Sequence, residues 1–113
     1  MLTIRKEQMD VLEEHMMLQW ENRIVATGAK QHPERFARLG EPAIRADVRA
    51  GIKKALQYSI ESDQPLERFL LMVVEHGFGF ELEGNLSWSR EILEATDING
   101  DAKMMLIAHQ LEG

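Results

Sequence analysis

Asp97, Asn99 and Asp101 carry the spacing that opens a calcium loop, D-x-N-x-D. An EF-hand loop then needs glycine at its sixth position and a bidentate glutamate at its twelfth. Those positions hold Ala102 and Ala108, and Gly100 comes one place early. Without the closing carboxylate, tight calcium binding is not expected. The run reads instead as a helix-to-helix turn with Asp101 as N-cap. The histidines, His15, His32, His76 and His109, form neither an H-x-x-x-H pair nor an H-E-x-x-H motif. Glu75 adjoins His76, but neighbours on a helix point about 100° apart. Ser59, Ser62, Ser87 and Ser89 lie near expected helix boundaries, where capping accounts for them. There is no G-x-S-x-G, no phosphate-binding glycine loop and no dinucleotide fingerprint. Adjacent acids such as Glu13-Glu14 sit on a solvated face. The expectation is a protein without catalytic residues, metal or cofactor.

The apolar residues are more informative than the polar ones. Gly77-Phe78-Gly79-Phe80, with Trp88 beyond, sets aromatics on a glycine-flexed stretch. Such residues either seal the end of a helical bundle or present a hot spot to a partner, where aromatics are enriched. The first helix poses a similar choice. Around its axis Ile4, Val11, Leu18 and Val25 fall within roughly 60° of one another, while Met9, Leu12, Met16, Met17, Trp20 and Ile24 occupy a broad sector opposite. Glu7, Asp10, Glu14 and Glu21 fill one gap between the two; Gln8, His15 and Gln19 fill the other. Either the domain itself buries both stripes, or one of them meets another chain. The seven-residue stripe suits helix pairing, although Gln8, His15 and Asn22 make the matching d-type positions polar. Four of the seven methionines lie in the first seventeen residues. Flexible thioethers adapt to apolar partners and fill cores equally well. The candidate partner-binding residues are therefore Ile4, Val11, Leu18, Val25, Phe78, Phe80 and Trp88.

Glycine and proline divide the elements that carry these residues. Thr3 caps a helix expected to end at Thr27, where Gly28 stops it. A short helical turn follows Pro33 and ends at Gly40. Ile44, Val48, Ile52 and Leu56 recur every four residues and predict a helix over 42–60. Pro65 opens the next, which Gly77 ends; its run Phe69 to Val74 is apolar on every side and predicts the spine of the bundle. From Gly77 to Asn85 the chain is irregular, with Phe78, Phe80 and Leu82 alternating as in an extended segment. Ser87 caps a helix through Ile92 and Leu93. The last helix puts Met104, Ile107, Ala108 and Leu111 on one side. The architecture expected is all-α: a single compact bundle of four or five helices over residues 1–113, with short connections.

Of 113 residues, 44% are hydrophobic and 28% charged, ordinary proportions for a globular chain. Thirteen Lys and Arg stand against nineteen Asp and Glu, leaving a formal charge of -6. Lys53-Lys54 is the densest basic pair, so nothing resembles the patch with which nucleic-acid binders displace counterions. The chain has no cysteine, which excludes disulfides and thiolate chemistry. No segment approaches the ~20 apolar residues that span a bilayer. The opening residues carry charges where a signal peptide needs an apolar stretch. A cytoplasmic protein that neither inserts in membranes nor binds nucleic acid is expected.

The opening Met1-Leu2-Thr3-Ile4-Arg5-Lys6-Glu7-Gln8-Met9-Asp10, the Gly51-Ile52 pair, and Phe78-Gly79-Phe80 followed by Trp88 and Ile92-Leu93 together resemble a group of small helical bacterial proteins. These are encoded among type VI secretion genes, close to PAAR spike-tip proteins, toxins and their loading chaperones. The decapeptide is the most specific part of the likeness. It transfers no site residues. It implies a cytoplasmic adaptor or co-chaperone that binds a chaperone, toxin or spike protein before export; the surplus apolar stripe of the first helix suggests docking on such a partner or on a second copy of the chain. An immunity protein that neutralises a co-encoded toxin is the alternative, and a calcium- or metal-binding regulator comes third.

Overall fold

A computed structural model describes residues 6–82 and 84–112, with side-chain surroundings from residue 15 onward. Six helices follow in order: α1 (Lys6–Gln31), α2 (Pro33–Leu39), α3 (Glu41–Gln57), α4 (Asp63–His76), α5 (Ser89–Glu94) and α6 (Gly100–Glu112). A 3-10 turn, Gly84–Leu86, precedes α5. Among the described residues there is no strand, and the all-α bundle is the observed architecture. Its framework is four longer helices; α2 and α5 are short connectors.

Helix α4 is the spine. It touches α1, α3 and α6, so its apolar residues are needed on three sides. Phe69, Leu70, Met72, Val73 and Val74 are all buried, and Leu71 is half-buried. Helix α3 offers it Ile44, Val48 and Ile52 of the expected four-residue stripe, while Leu56, the fourth, is exposed. The two backbones come close because Gly51 faces α4: a Cβ there would sit 3.1 Å from Leu70 Cδ2 and 3.2 Å from Val73 Cγ2.

Several boundaries differ from the sequence expectation: α3 ends at Gln57 and not at 60, α4 starts at Asp63 and not at Pro65, and three others have an identifiable cause. Gly28 does not stop α1, which continues to Gln31. Gly28 is buried against Val74, whose Cγ1 would lie 3.1 Å from an added Cβ. It serves close helix packing, and the breaker is Pro33, which disfavours a helical conformation at His32. Ser87 is not the cap of α5. The 3-10 turn runs almost directly into that helix, with Arg90 N–H donating to the Ser87 carbonyl at 3.2 Å, so few amides are left for a side chain to cap. Asp101 does not cap α6 either. Asn99 does, accepting from Ala102 N–H at 2.8 Å through Oδ1. Asn99 is thereby committed to a helix cap. Among the described residues no three His, Asp or Glu side chains converge as metal ligands would.

The start of α6 is pressed onto the turn that ends α3. A Cβ on Gly100 would fall 2.2 Å from the Ser59 carbonyl oxygen and 2.6 Å from Ile60 Cα. Ser59 turns the chain there with φ of 64°. No helix among the described residues is long and apolar enough to cross a membrane.

Candidate functional site

The seven residues singled out from the sequence do not form one surface. Ile4 lies outside the described residues, and Val11 lies on α1 where only the backbone is described. Leu18 is 47% exposed, whereas Val25, one heptad on, is only 5% exposed. Val25 is corrected from a partner-facing to an internal residue. It belongs to the part of α1 that packs against α2, α3 and α4. Leu18 lies nearer the level at which α4 begins, since Gln19, Trp20 and Arg23 line a cavity with Asp63, the first residue of α4. The opposite sector of α1 also divides. Ile24 is buried, Met17 and Trp20 are half-buried, and Met16 is exposed. The Arg23 guanidinium covers the Trp20 ring at 4.9 Å and pairs with Glu67 at 3.2 Å.

The segment after α4 divides in the same way. Phe78 is 41% exposed and Trp88 37%, but Phe80 is 6% exposed and belongs to the core. Phe80 is the second correction. Its ring centre lies 5.5 Å from that of Phe69 and 6.4 Å from that of His76, while Tyr58 packs edge-to-face with Phe69 at 6.3 Å. An extended strand would put Phe78, Phe80 and Leu82 on one face. The segment is instead a series of turns, opened by Gly77 at φ of +96°, a conformation that favours glycine. The turns send Phe80 and Glu81 inward and leave Phe78 and Leu82 outside. Sealing and display are thus both done, by different residues of one segment.

What fixes this segment is a group of polar residues that the sequence reading passed over. Glu81 is fully buried. Its Oε2 is paired with the Lys54 ammonium and accepts a hydrogen bond from Tyr58 Oη at 2.7 Å. Lys54, on the last turn of α3, and Tyr58, its C-cap, stand four residues apart, a spacing that puts both on one side. Burial alone would raise the Glu81 pKa, but the donors Lys54 and Tyr58 and a backbone amide outweigh it and hold the carboxyl below its usual value. Burial and the Glu81 charge push the Tyr58 phenol upward, so it remains a donor. The Glu81 Oε1 atom is buried without a partner among the described residues. The Lys54 ammonium also lies 4.7 Å from the Phe78 ring centre, holding that exposed ring by a cation–π contact. Beneath, Lys103 of α6 is buried and donates to the Tyr58 carbonyl at 2.7 Å. Burial pushes its pKa down. An ammonium at the carbonyl end of α3 is favoured by that helix's dipole.

A second buried carboxylate ties α1 to α3. Glu21, which the sequence pattern placed in the acidic gap between the two apolar stripes of α1, is buried between Arg45 and Arg49. Arg45 donates to Oε2 at 2.6 Å and to Asn22 Oδ1 at 3.0 Å, and Arg49 donates to Oε1. Burial would raise the Glu21 pKa; the Arg49 and Arg45 guanidinium groups lower it further than burial raises it. The i,i+4 pair Arg45/Arg49 was the available sequence signal, as Lys54/Tyr58 was for Glu81.

The last surface is the groove between α4 and α6, which the sequence stripe on α6 did not reveal. Met104 and Ile107 are buried as expected, but Leu111 is exposed, as are Met105 and Leu106.

Compared with protein-family models, with curated proteins and with solved structures, the chain finds no match.

Proposed function

We propose that this protein is a non-catalytic protein–protein interaction module, an adaptor or co-chaperone of the kind that its resemblance to type VI secretion accessory proteins implies, working in the cytoplasm. One observation carries the reading. A segment held down by a buried ion pair nevertheless turns Phe78, Leu82 and Trp88 outward. Scattered single apolar residues on a surface need no explanation. Three large ones within eleven residues of an anchored segment do, because anchoring lowers the entropy lost when a partner orders them. On α1, Leu18 and, in the opposite sector, Met16 are also exposed.

The test is co-purification from the native host with mass-spectrometric identification of what is recovered; a chaperone, toxin or spike-tip protein is the expected partner. Phe78→Ser with Trp88→Ser is expected to lose the partner while the circular dichroism spectrum stays helical. Leu18→Asp asks the same of α1. If all these variants keep every partner, neither surface is the interface and the reading fails. The formal charge of -6 favours the alternative, an immunity protein that neutralises a basic toxin. An immunity protein rescues cells expressing the toxin alone; an adaptor does not, and its loss lowers secretion.

A further inference from the structure

Two cavities lie end to end along α4 and α6, the second also walled by Gln31 and His32 at the end of α1. Pro65, Asp101 and Met105 bound the first, and Leu71, Ala108 and Leu111 line the second. Arg68 and Met104 line both. They form one groove, running from Gln64 to Glu75 of α4, about 16 Å at the rise of an α-helix. Its floor is apolar and rich in methionine, with Met72 joining Met104 and Met105. Flexible thioethers of this kind mould to an incoming side chain.

The charges on this groove are ordered. Residues 61–113 contain eleven Asp and Glu against three Lys and Arg. Two of the three cations are engaged: Arg90 pairs with Glu94, and Lys103 is buried on the Tyr58 carbonyl. Arg68, exposed at the middle of the groove, has no ion pair among the described residues, although Asp101 lines the same cavity. Asp101 stands at one end and Glu75 at the other. Along the groove the order is therefore acidic, basic, acidic.

We propose that the α4–α6 groove docks one amphipathic helix of a partner protein, whose charges run basic, acidic, basic beside its apolar stripe. The length fits about three helical turns, and helix-in-groove docking uses apolar anchors at i, i+3/i+4 and i+7. The central carboxylate meets Arg68, where an apolar floor strengthens the pair once water leaves. The flanking bases meet Asp101, which lines the first cavity with Gln64, one turn of α4 before Arg68, and Glu75, two turns after Arg68. This asymmetric spacing also sets the direction in which the partner helix lies. The inference names the chemistry of a partner and so rests on the reading of this protein as an interaction module.

The probe is a pair of labelled synthetic helical peptides, titrated against the full chain by fluorescence anisotropy. Both carry leucine at i, i+4, i+7 and i+11. One has a central glutamate with a lysine one turn before it and another two turns after; the other has every charge inverted. The first is expected to bind roughly tenfold or more tightly than the second. Arg68→Glu should reverse that preference, and Ala108→Trp, which fills the groove, should abolish both while the fold is retained by circular dichroism. Equal binding of the two peptides, or binding of neither, overturns the proposal. So does concentration-dependent dimerisation that Arg68→Glu abolishes, since a second copy would then be the occupant. A partner captured through Phe78 and Trp88 alongside failed peptides sinks the groove and leaves the module reading standing.

Discussion

The two buried carboxylates, Glu21 and Glu81, solve the same electrostatic problem differently. Glu21 has a guanidinium on each oxygen, and both arginines reach back into solvent. Glu81 takes the Lys54 ammonium and the Tyr58 hydroxyl on a single oxygen, with the other unpaired among the described residues, and it is completely enclosed. The first clamps two helices that their own apolar faces already hold together. The second is the main polar tie on a stretch of turns with few apolar anchors, Phe80 being the chief one. A charge that costs solvation to bury is placed where hydrophobic contacts alone leave the backbone underdetermined, and the exposed Phe78 rides on the same lysine.

The largest contrast comes from removing one cation from each site. Lys54→Ala strands Glu81 as a buried charge and should cost about 3–5 kcal/mol in urea unfolding. Hydrogen exchange should quicken across 77–88. If Lys54→Ala unfolds at the wild-type urea concentration, Glu81 is not the tie described. Gly100→Ala attacks the same end of the molecule by forcing α6 off the Ser59 carbonyl, and should cost about 3 kcal/mol. A cost near zero would mean that the two elements separate freely. Tyr58→Phe deletes one hydrogen bond to a charged acceptor and should cost about 2 kcal/mol.

Acid sharpens the comparison further. Both folded carboxyls lie below the ordinary glutamate value of 4.5. Between the folded and unfolded values the unfolded chain binds more protons, so stability rises with pH. Their contribution is complete above about 4.5 and is lost as pH falls through each depressed folded value. Glu81→Gln should therefore flatten the acid limb of a stability–pH curve, and Glu21→Gln should remove a separate share. Superimposable acid limbs for wild type and both variants would contradict the shifts. The smallest effect is Arg49→Ala. Its side chain is mostly in solvent and Arg45 remains on Glu21, so the loss should stay below about 1 kcal/mol by thermal melting.

Much of the fold was legible because helices announce themselves by spacing. The four-residue stripe of α3 and the all-round apolar run of α4 correspond to two helix faces and a three-sided spine. The positions read for binding were less legible. Val25 and Leu18 share a stripe on α1, and only one is covered, because coverage depends on where neighbouring helices begin. Phe78 and Phe80 share a pattern, and glycine-permitted turns separate them. Gly28, read as a stop, became a contact, since a missing side chain serves close packing as well as termination.

The sequence by itself determined that this chain would bury apolar helical faces, and that it carries more large apolar residues than those faces use. Periodicity encodes that, because an amphipathic helix repeats its exposure every 3.6 residues. Only the tertiary structure decided which residues remain outside. It set Glu21 between two arginines, closed Lys54 and Tyr58 over Glu81, and left Arg68 on an apolar groove. Partners so far apart in the chain are brought together by packing, and no local spacing records the distance between them.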